Sequence, residues 1–292
     1  MTTNSSDWDF LDLEAKETIT SCFREEGFVC LRNLNFQQRT IIDQWLEWST
    51  HHTSSIFEAL HQKGHIDFPQ PQRETADGKV EYSLEAGVKH GFREIVMRSP
   101  GRYEISVLDC KDRPPLQEIQ DQLSTVIPSL LGEDSLDDLQ LCHVSIVTAS
   151  PSSTDQGWHA DGGHVNLQQH LPCHCLNVFI PLVDVLTIEN GPTELRPCSH
   201  FLTRNLAPLM LAAKARKTLR SPVIPSLQRR DVLIFDYRIL HRGRANVSVN
   251  DRPILVLTYA KSWFKDILNF PKKSLYDREK QEDNDDCCAT RL

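Results

Sequence analysis

Two histidines and one aspartate have the types and spacing that a mononuclear metal site needs. The segment GWHADGGH (157–164) places His159 and Asp161 two residues apart, so on an extended chain both side chains leave the same face. His241 directly follows the apolar run 231–240 and can supply a third ligand. Two imidazoles and one carboxylate on one face of an octahedron favour Fe(II) and leave positions open for other ligands. A His-x-Asp pair alone is more often a surface feature, so the residues that follow decide the interpretation.

A basic residue at a set distance from His241 indicates that the same site binds a carboxylate. Arg252 stands eleven residues after His241, and the intervening RGRANVSVND is rich in turn-forming residues. We expect a hairpin that brings Arg252 beside the His241 strand and into the same cavity. A guanidinium presents a planar fork of donors that matches a carboxylate. The alternative is an isolated surface arginine, and the register with the metal residues argues against it.

Short β-like runs separated by turn signals would have to position these residues. They cover 28–34, 103–108, 142–149, 176–185, 231–237 and 253–260. Helical spacing of apolar residues predicts helices over 11–27, 36–62, about 115–130 and about 206–219. Residues 63–90 are polar and predict a long loop near the mouth of the site. The many short strands favour a mainly β protein, either sandwich, barrel or jelly roll, with flanking helices packed on its outside.

The composition is that of an ordinary globular chain. It has 292 residues, of which 39% are hydrophobic and 25% charged, and a formal net charge of −8. Nucleic-acid binding is not expected, because the basic residues are interleaved with acids rather than concentrated on one face. No membrane span is expected, because no run approaches roughly 20 apolar residues. The nine cysteines are an odd number in a chain without signal-peptide features, so we expect reduced thiols and a cytoplasmic location.

One domain is predicted between two terminal segments of different composition. Residues 1–10 are expected to be flexible, 11–275 to form the domain, and 276–292 to form a disordered acidic tail. The last three residues resemble a peroxisomal address with a poor first position, and equally a ligand for domains that capture a C-terminal carboxylate. They are Thr290, Arg291 and Leu292. The oligomeric state is not predicted.

Four segments in a fixed order carry a resemblance to a known enzyme family. They are FREEGFVCLRNL (23–34), GWHADGGH (157–164), LNVFIPLVDVLTIENGPTELRPCSH (176–200) and LHRGRANVSVNDR (240–252). In this order they resemble the phytanoyl-CoA dioxygenase family of Fe(II)- and 2-oxoglutarate-dependent oxygenases. The matching features are an opening strand, the metal pair, an E-N-G to Ser-His segment, and the distal His with its Asn and Arg. The resemblance implies a double-stranded β-helix, a cupin-like jelly roll, with the metal at one mouth.

The resemblance also implies which small molecules the site uses. The three metal residues would hold Fe(II), and 2-oxoglutarate would bind it with its far carboxylate on Arg252 and Thr193. Asn177 would point inward near this cosubstrate, or else be a satisfied core amide. With O₂ as the second cosubstrate, a small organic substrate would be oxidised, with release of succinate and CO₂. Relatives that transfer halide replace the carboxylate of Asp161 with a small residue, so its presence favours hydroxylation or desaturation.

Two positions depart from the family pattern. Cys198 replaces the usual glycine before Ser-His, which would alter a turn rather than the chemistry. Gly157 stands where some relatives place a glutamine that contacts the cosubstrate, so that contact would come from elsewhere or be absent.

The substrate side can be assigned only to a neighbourhood. Residues 90–104 include basic groups that could favour a carboxylate or phosphate on the substrate, namely His90, Arg93, Arg98 and Arg102. Trp158 and His164 flank the metal pair and could contact the substrate. The alternatives are surface arginines, and a Trp158 that points away into packing because it alternates with His159.

Two other functions stay open on the sequence alone. A non-catalytic cupin-like module could keep the cavity as a sensor, although intact metal residues and Arg252 argue against it. A cupin-type enzyme could use the same metal without 2-oxoglutarate.

Overall fold

The structure, a computed structural model, describes residues 10–32, 34, 40–74, 80–205, 219–266 and 269–277. Within them the helices are α1 (Lys16–Glu26), α2 (Thr40–Gln62), α3 (Gln117–Leu123) and α4 (Val126–Leu131). The first strands are β1 (Phe28–Leu31), β2 (Gln72–Glu74), β3 (Val80–Tyr82), β4 (Ile95–Ser99), β5 (Arg102–Ser106) and β6 (Leu139–Ala149). The later strands are β7 (Cys175–Pro181), β8 (Thr193–Leu195), β9 (Val232–Asp236), β10 (His241–Gly243) and β11 (Arg252–Lys261).

Seven of the strands form one antiparallel main sheet, in the order β1-β9-β7-β11-β6-β5-β4. A smaller sheet, β8–β10, contributes residues to the same cavity as the main sheet, so the two sheets face each other across it. This is the mainly β, double-stranded β-helix that the resemblance implies, with helices packed outside.

The main sheet is apolar on one face and lines the cavity with the other, because side chains alternate along a strand. On β11, Leu255 and Leu257 belong to the hydrophobic core, whereas Arg252, Val256 and Thr258 line the cavity. On β11 the core contacts and the cavity lining therefore lie on opposite faces, whereas at β1 and β9 the cavity-side face is also apolar, through Phe28, Leu233 and Phe235.

Helices cover the apolar face. Ile19 and Phe23 of α1 and Trp45 of α2 are buried in the same core as the inner strands. Helix α1 ends at Gly27, whose left-handed conformation (φ +87°) closes the last turn at little steric cost. The helical stretch predicted near 115–130 is present as two short helices, α3 and α4.

The segment between His241 and Arg252 is not the direct hairpin that the sequence predicts. Strand β10 pairs with β8, whereas β11 pairs with β6 and β7, so Arg252 reaches the cavity from the opposite sheet. The connection crosses between the sheets and is held by the buried Asn246. Its Nδ2 donates to the carbonyl oxygens of Ala149 (2.7 Å) and Asn250 (2.8 Å).

Residues 63–90 also differ from the prediction of a long loop at the site mouth. They contain the paired strands β2 and β3, and none of their described residues lines the cavity. The helix predicted at about 206–219 falls on 206–218, which lie outside the described residues, as do 1–9 and 278–292 of the predicted flexible ends. Among the described helices, none is long and apolar enough to cross a membrane.

Candidate functional site

Backbone pairing places His159 directly opposite His241. The amide of His159 donates to the carbonyl oxygen of His241 at 3.1 Å, and the reverse bond measures 2.9 Å. Asp161 lies two residues further along the same segment. One ligand atom from each of the three residues lies within 4.8 Å of the others, so the structure brings the predicted triad together.

Hydrogen bonds on the far side of each ring fix the imidazole tautomers. Nδ1 of His159 lies 2.8 Å from the carbonyl oxygen of Gly157, and Nδ1 of His241 lies 3.2 Å from that of Ile239. Because a carbonyl oxygen only accepts, each Nδ1 donates and each Nε2 keeps its lone pair for a metal. Burial lowers the pKa of His241 to about 4 despite the nearby Asp161, so this ring is neutral at pH 7.

Asn177 orients the carboxylate of Asp161. Its Nδ2 donates to Oδ2 of Asp161 at 2.6 Å, and its Oδ1 accepts from Oγ1 of Thr258 at 2.6 Å. Asn177 and Thr258 are direct partners across β7 and β11 and both are buried. The side chain lines the cavity, as the resemblance implies, and there it supports a metal ligand.

Arg252 directs buried donors into the cavity. It is 2% exposed, and its Nε and Nη2 have no hydrogen-bond partner among the described residues. Burial and the nearby charge of Arg102 lower the pKa of Arg252 well below its usual value. A neighbouring anion would stabilise the charged form of this buried guanidinium. Thr193 is also buried and lines the same cavity. The triad and this unpaired fork together fit Fe(II) and the far carboxylate of 2-oxoglutarate.

Arg102 is a second buried cation, close to Arg252. From the sequence it is predicted only as a possible substrate residue. Arg102 and Arg252 flank Ala149 in the strand register, so both point to the cavity face. The guanidinium donates to the carbonyl oxygen of Arg244, and burial lowers its pKa to about 10. A Cβ at position 243 would collide with this guanidinium, which explains the glycine there. Counting alternate side chains along the predicted strand at 103–108 would have placed Arg102 on one of the two faces of the sheet.

Gln156 is a further cavity residue that sequence reasoning missed. It stands one residue before Gly157, lines the cavity, and accepts a hydrogen bond from the amide of Gly243 at 2.9 Å. The segment that carries it is not a regular strand, so residue counting could not place its side chain.

The predicted substrate residues divide into two groups. Arg98 and Trp158 line the cavity, whereas Arg93 and His164 do not. The side chain of Arg93 is 61% exposed, and His164 is hydrogen bonded to Thr203 at 3.0 Å instead. The two cavity residues are thus the better candidates for contact with a substrate.

Trp158 does not point into the packed interior, as alternation with His159 suggested. The guanidinium groups of Arg196 and Arg242 lie over its ring, with Cζ atoms 4.5 and 4.8 Å from the ring centroid. These cation–π contacts hold Trp158 at the cavity wall, next to the predicted metal ligands. The cavity has a volume of about 490 Å³, within the range of small-molecule sites.

Comparisons with known proteins agree with this geometry. The family model described as Phytanoyl-CoA dioxygenase (PhyH) matches residues 23–254. The chain is similar to AviO1 from Streptomyces viridochromogenes Tue57, with a TM-score of 0.56 and 16% identity over 86% of this chain and 97% of that one. It is also similar to the non-heme alpha ketoglutarate dependent carbocyclase SnoK from nogalamycin biosynthesis, with a TM-score of 0.57 and 16% identity over 87% and 88% of the chains.

A third similar structure is the epimerase SnoN in complex with Fe³⁺, alpha ketoglutarate and nogalamycin RO. Its TM-score is 0.53 and its identity 13%, over 85% of this chain and 84% of that one. At these identities the likenesses establish the fold, and the family is established by the match over most of the chain. The protein belongs to the phytanoyl-CoA dioxygenase family.

Proposed function

We propose that this protein is a non-haem Fe(II)- and 2-oxoglutarate-dependent dioxygenase that hydroxylates a small organic molecule, with release of succinate and CO₂. The observation that carries the proposal is the presence, in one cavity, of the metal triad and of the buried Arg252, whose Nε and Nη2 have no hydrogen-bond partner among the described residues. A metal-only enzyme has no use for a buried guanidinium, whose desolvation is costly without an anion.

The chain itself holds and shields the reactants. His159 and His241 present Nε2 lone pairs, and Asn177 holds the Asp161 carboxylate in place. Arg252 lines the cavity from the opposite sheet and would hold the far carboxylate of the cosubstrate. When bound, iron with 2-oxoglutarate and O₂ supplies the oxidising chemistry.

Apolar side chains separate the two polar ends of the cavity. Val147, Phe179 and Val256 line the cavity from the main sheet, and Val256 pairs directly with Phe179 across β11 and β7. They would lie along the carbon chain of the cosubstrate and exclude water from it.

The proposal is tested by adding Fe(II) and 2-oxoglutarate to the purified protein without oxygen, and then admitting O₂. A visible metal-to-ligand absorption followed by succinate formation is expected. Arg252→Ala should raise the 2-oxoglutarate concentration needed by at least about tenfold, because charged hydrogen bonds are lost. Absence of both signals would contradict the proposal, and an unchanged response in the variant would favour a metal enzyme that does not use 2-oxoglutarate.

The type of oxidation is tested by the mass of the product. Hydroxylation adds one oxygen atom to the substrate, whereas desaturation or ring closure removes two hydrogens. The distinction is needed because similar folds include a carbocyclase and an epimerase.

A further inference from the structure

One side of the cavity is a network of polar side chains, here called the polar wall. It comprises Arg98, Glu104, His143, Tyr237, Asp266 and Asn269. All of these except Asp266 line the cavity, and Asp266 is bonded to the side chains that do. The predicted functional residues account for none of this network except Arg98.

The first part of the polar wall is an ion pair between neighbouring strands. Nε of Arg98 on β4 donates to Glu104 on β5, and its Nη2 donates to the carbonyl oxygen of Asn269 at 2.9 Å. Both side chains are largely buried. Burial opposes the charge of Arg98, but the contact with Glu104 outweighs it and raises the pKa of Arg98. Arg98 is therefore already neutralised and is not a free anion-binding group.

The second part is centred on the carboxylate of Asp266. This group accepts hydrogen bonds from the hydroxyl of Tyr237 and the side-chain amide of Asn269. It also lies 3.3 Å from Nε2 of His143, and its side chain is 8% exposed. The polar wall thus contains two carboxylates, whose oxygens only accept hydrogen bonds, together with one guanidinium and the imidazole of His143.

The polar wall runs alongside the apolar part of the cavity lining. Val147 is the strand partner of Glu104, a member of the wall, and Val256 lies between Arg252 and Thr258 on β11. Thr258 in turn pairs with His143 of the wall. An alkyl chain against this wall would remove water from its charged and polar groups and offer no hydrogen bond in return, which is unfavourable. The volume of about 490 Å³ must also hold the cosubstrate, so the space left suits a compact molecule.

We propose that the substrate is a compact polar molecule, bound through hydroxyl or amino groups that donate hydrogen bonds to the polar wall, and is not a long-chain acyl compound. Tyr237 and Asp266 are the specificity-determining pair. This inference rests on the proposed oxygenase function and names the substrate class for the same site.

The substrate class is tested with the full chain loaded with Fe(II) and 2-oxoglutarate. One panel contains small polyols and amino compounds, and the other contains medium- and long-chain fatty acids and their CoA thioesters. Succinate formation is measured against the rate without substrate. A member of the first panel should raise that rate by at least about tenfold, the equivalent of a bound, correctly oriented substrate. Greater stimulation by the acyl panel, or none by the polar panel, overturns the inference.

The role of the pair is tested with Tyr237→Phe, which removes only the hydroxyl, and Asp266→Asn, which removes the charge. Each should raise KM for the stimulating compound by about tenfold, through loss of a buried hydrogen bond. Asp134→Asn, at an exposed position outside the cavity, is the matched control and should leave KM unchanged. If KM were unaltered in both variants, Tyr237 and Asp266 would not be the residues that determine specificity.

Different results would contradict the proposed oxygenase function and the proposed substrate class. The wild type should show the Fe(II)–2-oxoglutarate absorption whether or not the polar panel stimulates succinate formation. Loss of that absorption in the wild type would refute the oxygenase function. A normal absorption without stimulation by the polar panel would refute only the substrate class.

Discussion

Asn177 illustrates how one residue outside the triad can govern the metal site. It holds Asp161 with one end of its amide and accepts from Thr258 with the other. A carboxylate without this support would rotate away from the geometry that three ligands share. Support of this kind is typically as important for metal affinity as some of the ligands themselves.

Replacement of Asn177 by alanine should therefore weaken Fe(II) binding by about 10- to 100-fold. The dissociation constant can be measured by anaerobic titration, with Mn(II) as a redox-stable check. Thr258→Val is the graded control, because it keeps the bond to Asp161 and removes only the group behind it. An Asn177→Ala protein that binds Fe(II) as tightly as the wild type would show that Asp161 needs no support.

At this scale the sequence predicts the residues that their types and spacing single out, namely His159, Asp161 and the distant His241. It does not place Gln156 or Trp158, because the segment before the metal pair is irregular and side-chain alternation fails there. Pairing between strands far apart in sequence decides such positions, and no local pattern encodes it.

Strand β10 shows how much one short element can do. His241 belongs to the predicted metal triad, Arg242 stacks on Trp158, and Gly243 leaves room for the guanidinium of Arg102. Side chains alternate along the strand, so His241 and Gly243 line the cavity and Arg242 points to the other face.

Gly243→Ala should raise KM for 2-oxoglutarate by about tenfold, because the new methyl group would displace Arg102 from the cosubstrate end. Affinity for the metal should change little. Gly163→Ala is a matched control close to the metal ligands, since a Cβ there would meet no atom within 4 Å. Equal KM values for the two variants would contradict the steric account of Gly243.

The residue just before β7 makes stability sensitive to acid. His174 is buried against Trp263 and Phe264, and burial lowers its pKa to about 4. In the unfolded chain the pKa of histidine is about 6.5, so between these pH values the unfolded state binds more protons. The contribution of His174 to stability is therefore complete above about pH 6.5 and is lost as the pH falls towards 4.

His174→Phe should accordingly flatten the acid side of the stability profile, with a difference on the order of 2 kcal/mol between pH 7 and pH 4.5. Urea unfolding at a series of pH values measures it. The wild type and the variant should run parallel above pH 7. Parallel profiles down to pH 4.5 as well would mean that His174 does not titrate abnormally.

For the whole molecule, we expect folding not to depend on the metal. The larger hydrophobic core lies on the helix-covered face of the main sheet, away from the triad, and only a smaller apolar cluster that includes Leu233 and Phe235 packs on the cavity side. Ligand binding should thus add to the stability of a protein that is already folded.

Mn(II) and 2-oxoglutarate at about 100 times their dissociation constants should each stabilise the fold by about 2.7 kcal/mol. For a chain of this size, each ligand should raise Tm by roughly 4–5 °C. Addition of EDTA should return Tm to the value of the metal-free protein without unfolding it. In Arg252→Ala the increment due to the metal should persist and that due to 2-oxoglutarate should shrink. Unfolding on chelation at moderate temperature would contradict the independence of the core.

Only part of the architecture could be predicted from the sequence. Composition and short strands such as 231–237 indicate a mainly β protein, and the resemblance narrows this to a double-stranded β-helix. The hairpin expected between His241 and Arg252 was wrong, because a turn-rich segment does not show whether its flanking strands pair with each other. The polar wall, too, joins residues from β4 to Asn269 that are far apart in the chain.

The helix-covered face of the main sheet packs in the core, and part of the other face lines the cavity. Mutations on these two faces are therefore under different selection. Substitutions on the core face are selected for folding, and those on the cavity face for what is bound and converted. A lineage can thus acquire a new substrate while it inherits its scaffold nearly intact. Such independence is consistent with a shared fold between this chain and AviO1 at 16% identity.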